Sequence, residues 1–274
     1  MSRHTKIVAT LGPASSTTEV LENLVQAGID VVRMNFSPGT VEDHIARATG
    51  IRAAAAKFGR TVGILGDLQG PKIRVGKFDG GKITLVPGEN FILDAQCPLG
   101  NQERVGLDYK DLPKDVVNGD ILLLDDGRLK LEVLGVRGHE IHTRVLVGGD
   151  LSNNKGINRQ GGGLTAPALT AKDMDDIKTA AQIGVDFVAV SFPKSAADMY
   201  MARQLLRAAG SSAVLIAKIE RVEAITNLAE ILDASDGIMV ARGDLAVEVG
   251  DATVPALQKK MIRMARDMNK LTIT

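Results

Sequence analysis

Residues 214–244 read VLIAKIE, then RVEAITNLAEILDASD, then GIMVARGD. Two short apolar runs, 214–220 and 237–241, flank a segment of helical length, and each runs into charge at its C-terminal end. Strands joined through a helix-length segment pair in parallel by a right-handed crossover. Residues two apart in a strand share a face, so Ile216, Lys218 and Glu220 line one side, the two charges last. The same alternation extends outward from this stretch. Upstream it predicts a helix over 170–182, a strand over 186–191 and a helix over 195–209. Downstream it predicts a helix over 254–269 and a last strand-like run over 271–274. The N-terminal part alternates too, with strands over 6–11, 30–36 and 61–67 and helices over 17–27 and 40–57.

Between 71 and 165 the texture changes to short strands split by Gly80-Gly81, Pro87-Gly88, Asn118-Gly119 and Asp126-Gly127. This predicts a separate all-β insertion, with domain bounds 1–69, 70–165 and 166–274. Its return passes through Gly161-Gly162-Gly163, which suits either the hinge of a lid or a plain linker. A doubly wound nucleotide fold would carry Gly-x-Gly-x-x-Gly after the first strand, and Leu11-Gly12-Pro13 stands there instead. The expected fold class is therefore α/β, a (β/α)8 TIM barrel with an inserted all-β lid. With the insertion set aside, the remainder suits about six β/α units at roughly 31 residues each. An incomplete barrel, stopping at the start of strand seven, is expected.

Lys plus Arg and Asp plus Glu both total 33, so bulk charge draws the chain toward neither nucleic acid nor an anionic membrane. No apolar run reaches spanning length and no signal-peptide core opens the chain, which makes a cytoplasmic location the expectation. Cys97 is the single cysteine and excludes an internal disulfide. His4, His44, His139 and His142 have no metal-ligand spacing and read as surface residues.

Parity places further charge at strand ends. Val31, Arg33 and Asn35 share a face that points on toward Ser37, one strand ends at Asp67, and another runs into Arg242-Gly243-Asp244. In a barrel these ends converge on the mouth where active sites lie. Two carboxylates, Glu220 and Asp244, suit a hard divalent cation with open positions, and Arg33 and Lys218 beside them suit an anionic substrate. Phosphoryl transfer needs this positioning and charge neutralisation, as does an enolate. Structural salt bridges at the strand ends are the competing reading.

Five segments resemble the successive signatures of pyruvate kinases: KIVATLGP (6–13), VRMNFSPG (32–39), GDLQGPKIR (66–74), AKIE (217–220) and SDGIMVARGDL (235–245). The resemblance implies transfer of a phosphoryl group from phosphoenolpyruvate to ADP, giving pyruvate and ATP, the final step of glycolysis. It implies Lys218 and Arg33 as catalytic, with Arg33, Lys218, Gly243 and Asp244 as substrate contacts and Glu220 and Asp244 as ligands of Mg²⁺, or of Mn²⁺ in its place. Asn35, Arg74 and Lys155 match nucleotide contacts. Asn35, Ser37 and Asp67 match a monovalent-cation site, and Lys72 stands where potassium-dependent members carry a glutamate, so K⁺ is expected to be dispensable. The resemblance also implies a full-length homo-tetramer, and it puts a catalytic-site threonine, two barrel units and a regulatory C-terminal domain beyond residue 274. The chain by itself is expected to be poorly stable and nearly inactive. Two positions depart from the pattern: Pro38 replaces a common histidine, and Ala246 a usual glycine, with strain expected if its φ is positive. The rivals are a Mg²⁺-dependent aldolase or lyase working on pyruvate enolate, and a non-catalytic chain that only binds ligand.

Overall fold

The structure, a computed structural model, describes residues 4–274. Strands β1 (Val8–Leu11), β2 (Val31–Asn35), β3 (Gly63–Asp67), β4 (Phe187–Val190), β5 (Val214–Ile219), β6 (Gly237–Val240) and β7 (Leu271–Ile273) form one sheet in chain order. All six neighbouring pairs are parallel. Among the described residues β1 and β7 each pair on one side only, so the sheet is an incomplete barrel.

Helices α1 (Thr18–Ala27), α2 (Val41–Lys57), α3 (Ala171–Ile183), α4 (Ala196–Ala208), α5 (Val222–Thr226), α6 (Leu228–Ala234), α7 (Arg242–Val249) and α8 (Val254–Asp267) connect these strands. Their starts are written locally. Thr40 accepts from the Asp43 N–H while Asp43 accepts from the Thr40 N–H, and Thr170 and Asp173 repeat the arrangement. Such caps contribute about 1 kcal/mol each. Gly28 and Gly184, at φ 99 and 68, end α1 and α3 in the left-handed region. Helix α7 has no side-chain cap and was not legible as a helix, because its opening Arg242-Gly243 reads as a turn.

Strand parity divides the core as expected. Val32, Met34, Val188, Val190, Leu215 and Ala217 pack outward against the helices. Leu65, Ala189 and Ile216 meet Val31, Phe187 and Met239 in the small interior of the barrel. Helix α2 buries His44, Ala48, Ile51 and Ala55, a stripe at helical spacing. His44 is thus a core residue, 2% exposed with its ring 4.4 Å from that of Phe36, and the surface reading of it is corrected.

Between β3 and α3 lies a β domain with its own core, antiparallel but for one parallel pair, in the place of the expected lid and called the lid below. Its main sheet orders the strands Ile157–Arg159, Ile121–Leu124, Leu129–Arg137, Glu140–Val147, Asn90–Asp94 and Arg104–Val105, while Lys82–Leu85 pairs with Gly149–Ser152. At the lid's base the outgoing and returning chains pair: Val75 N–H donates to Lys155 O and Ile157 N–H to Ile73 O. Gly161, Gly162 and Gly163 take φ of 81, 78 and 89 in succession, which only glycine does without strain. Their path is pinned, with Gly163 N–H donating to Glu223 at 2.7 Å and Arg221 Nη2 to Leu164 O at 2.8 Å. Among the described residues no helix is long and apolar enough to cross a membrane.

Candidate active site at the barrel mouth

The C-terminal ends of β2, β3, β4 and β5 bring Arg33, Asp67, Ser191, Lys218 and Glu220 together. Lys218 Nζ, on a side chain only 11% exposed, lies 2.9 Å from Glu220 Oε1 and 3.2 Å from Asp67 Oδ1. It also donates to Ser191 Oγ at 2.7 Å. Asp67 turns its other oxygen to Arg33, whose Nε and Nη2 both approach at 2.6 Å. A third guanidinium nitrogen of Arg33 donates to Thr10 Oγ1 at 3.1 Å. Asp67 thus fixes the two cations side by side, and Arg33 stays 27% exposed toward the mouth.

Electrostatics separate the pair on β5. Burial works against the Lys218 ammonium, but Glu220 and Asp67 outweigh it and hold its pKa above the ordinary value. Glu220 is pushed up to about 7, first by burial and further by the charge of Asp244, although Lys218 and the Phe192 N–H favour its anion. Both partners shift upward for different reasons: Lys218 because two carboxylates face it, and Glu220 because burial and the Asp244 charge outweigh the pull of Lys218. The donor set therefore fits a divalent cation, since added positive charge beside Glu220 and Asp244 would relieve the repulsion between them.

Asp244 sits in the first turn of α7, with the Gly243 backbone before it, where a helix N-terminus favours anions. Lys72 approaches Asp244 Oδ1 at 3.4 Å and the lid's Asp126 at 3.7 Å. Asn35 Oδ1 accepts from the Ser37 N–H at 2.9 Å and stabilises the loop after β2. Of the expected monovalent-cation set, Asp67 is engaged by Arg33 and Lys218, while the ion pairs of Lys72 run to Asp244 and Asp126. Lys155 pairs with Asp125 at 2.7 Å, and Arg74 Nη1 donates to Asn154 O at 3.0 Å, both within the lid. A cleft of about 1100 Å³ opens between the lid and α7, with Lys72, Arg128, Arg242 and Asp244 on its walls. Lys218, Glu220 and Arg33 do not line that cleft.

A model of the pyruvate kinase barrel domain matches residues 2–274. The chain belongs to the pyruvate kinase family. It is 58% identical over 277 residues to pyruvate kinase of Haemophilus influenzae, covering 99% of this chain. Identity is 57% to pyruvate kinase II of Salmonella typhimurium over 99% of this chain, and 46% to pyruvate kinase of Mycobacterium intracellulare over 100% of this chain. The chain spans 58% of the length of each of these relatives.

Sequence reasoning missed Ser191. The signal was present, since Ser191 shares the face of Ala189 and is the polar residue at the end of an apolar strand. It missed Arg221 and Glu223 as the clamp on the returning lid, and Glu248, whose Oε2 accepts from the Val222 N–H at 2.9 Å. Those contacts join segments distant in sequence and leave no periodic trace. Ala246 lies inside α7 and is absent from the positive-φ residues, so the strain expected there does not arise.

Proposed function

We propose that this chain carries the catalytic mouth and lid of an enzyme that transfers the phosphoryl group of phosphoenolpyruvate to ADP, giving pyruvate and ATP. The observation that supports this best is the Lys218 ammonium, buried between Asp67, Glu220 and Ser191 at the barrel mouth and flanked by Arg33. Such a group meets the charge of a phosphoryl in transit and then the enolate left behind.

Glu220 and Asp244 would hold the divalent cation, Mg²⁺ or Mn²⁺, which when bound supplies charge neutralisation and orients substrate oxygens. The chain's own residues do the rest. Arg33, fixed by Asp67, receives the anionic substrate, and the Gly243 backbone at the start of α7 adds N–H dipoles. The bond between the enol oxygen and phosphorus breaks as a β-phosphate oxygen of ADP bonds to that phosphorus. The enolate, held by Lys218, then takes a proton at its terminal carbon to give pyruvate. Arg74 and Lys155 on the lid, with Asn35 below, are proposed nucleotide contacts. Closing the lid would exclude water that competes as phosphoryl acceptor. Lys72 places a fixed ammonium beside Asp244, and on that basis K⁺ is proposed to be dispensable. A lyase acting on pyruvate enolate would use the same mouth but has no need of lid cations, which favours the kinase.

Pyruvate release from phosphoenolpyruvate and ADP, with Mg²⁺ and without K⁺, tests the proposal beside Lys218→Ala and a Mg²⁺-dependent phosphoenolpyruvate titration. Turnover or Mg²⁺-dependent binding that Lys218→Ala lacks is expected. Substrate binding indifferent to both Mg²⁺ and Lys218 would overturn it.

A further inference from the structure

The lid holds a second cluster of chemistry-bearing side chains that the kinase reading does not use. Strands Asn90–Asp94 and Glu140–Val147 run antiparallel with Asp94 directly opposite Glu140. Like charges directly opposite destabilise a sheet unless a cation intervenes. Arg104 supplies one, donating from Nη1 to Asp94 Oδ2 at 2.9 Å and to Glu140 Oε1 at 2.8 Å. That uses one oxygen of each carboxylate. The other two oxygens each face an imidazole: His139 Nε2 lies 3.6 Å from Asp94 Oδ1, and His142 Nε2 lies 3.0 Å from Glu140 Oε2.

The fold builds this arrangement deliberately in sequence terms. Gly138, at φ 60, opens a two-residue hairpin turn and puts His139 at its second position. His142 follows Glu140 by two residues and so shares its face. The Ala95 N–H donates to His139 O at 3.0 Å and holds the turn against the neighbouring strand. Asp94 is only 7% exposed and its Oδ1 also accepts from the Gln96 N–H at 2.8 Å, which fixes the carboxylate.

We propose that Asp94, His139 and Glu140, with His142 behind Glu140 as an outer partner, form a binding site for a first-row divalent metal ion of the zinc class, distinct from the Glu220–Asp244 pair. Ligand atoms of Asp94, His139 and Glu140 lie within 4.8 Å of one another. Around a tetrahedral ion with bonds of about 2.1 Å, neighbouring ligand atoms stand about 3.4 Å apart, close to the 3.6 Å between His139 Nε2 and Asp94 Oδ1. His139 is 46% exposed, so its ring can close the longer gaps by rotation. Arg104 leaves the two carboxylates with one uncompensated negative charge. Mixed nitrogen and carboxylate donors select borderline metals over Mg²⁺. The metal would tie the hairpin tip to the adjacent strand and stiffen that edge of the lid.

The test is a Zn²⁺ titration of the 274-residue chain at a pH of about 7.5, where imidazole is mostly neutral, with excess Mg²⁺ to fill the oxygen-rich site. The readout is the Hε1 NMR signals of the histidines. The signals of His139 and His142 are expected to move together and saturate at one equivalent, while buried His44 stays. Outer-shell changes alone alter metal affinity about 10–100-fold, so Asp94→Asn and His142→Gln should each weaken binding by about tenfold or more. His142→Gln leaves the Asp94–Arg104 pair in place and serves where Asp94→Asn disturbs folding. Signals that do not move, that move without saturating, or that saturate with unchanged affinity in His142→Gln would overturn the proposal. So would imidazoles that respond only to pH, since they would then be ion-pair partners of the carboxylates and nothing more.

Discussion

Lys218 Nζ lies 2.9 Å from Glu220 Oε1, a pairing between two residues of one strand face that are separated by a single residue. Parity alone puts both at the mouth, but Asp67 and Ser191 from other strands turn a surface ion pair into a buried network. Lys218→Met removes the one cation that two buried carboxylates share. Breaking such a pair costs about 3–5 kcal/mol, and losing a preorganised charge at the reacting centre costs about 10²–10³ in rate. Denaturant unfolding and steady-state pyruvate formation check the two numbers separately. Stability unchanged in Lys218→Met would mean that water reaches these carboxylates.

Asp67 is 1% exposed and holds Arg33 with one oxygen and Lys218 with the other. Asp67→Asn keeps the shape but removes the charge that positions both cations. The expected result is weaker phosphoenolpyruvate binding, because Arg33 is no longer fixed, together with a stability loss of about 3 kcal/mol or more. A titration of phosphoenolpyruvate against the variant, paired with its unfolding curve, separates the two effects. Wild-type affinity in Asp67→Asn would show that Arg33 needs no anchor.

Gly70 leads into the lid at φ 67, and an added Cβ would stand 2.7 Å from Ser191 Cβ and 3.0 Å from Ser191 O. Gly80 has a similar φ of 80, but nothing lies within 4 Å of its added Cβ. Both positions carry the left-handed penalty of about 1–2 kcal/mol for a residue with a side chain. Only Gly70→Ala adds a clash, and it pushes on the serine that accepts the Lys218 hydrogen bond. Gly70→Ala should therefore lose more stability than Gly80→Ala in parallel melts, and it alone should lower activity. Equal losses in the two variants would leave the clash without consequence.

What was legible beforehand follows from where the information lies. Strand parity and cap residues are local, so the barrel order, the starts at Thr40 and Thr170, and the mouth carrying Arg33, Lys218 and Glu220 could be read from spacing. Ser191 was readable by the same parity, since it stands on the Ala189 face, but a lone serine carries no charge to draw notice. Helix α7 escaped because its first residues, Arg242-Gly243, carry neither cap nor apolar spacing. The clamp of Arg221 and Glu223 on the lid's return, and the approach of Asp94 to His139, depend on tertiary pairing between segments with no shared period. His44 reads as a surface residue when histidine counts as polar, although its stripe with Ala48, Ile51 and Ala55 stands in the sequence.

His44 gives the pH prediction. Its Nδ1 is buried without a hydrogen-bond partner. Burial first, then the nearby Arg47 charge, lower its pKa below the ordinary 6.5, against the opposing pull of Asp176 and Asp43. Lys172, from α3, adds to the lowering. The unfolded chain therefore binds a proton at this residue at a higher pH than the folded chain does. Where the unfolded state holds more protons, stability rises with pH. The His44 contribution is thus fully present above pH 6.5 and declines as pH falls through 6.5 toward the folded value. Melting curves of the wild type and His44→Gln over that window isolate the effect, since every other group titrates in both. The wild type should lose stability faster on acidification, so that the gap between the two proteins narrows as pH falls. A gap that stays constant would mean that His44 is protonated alike in the folded and unfolded chains.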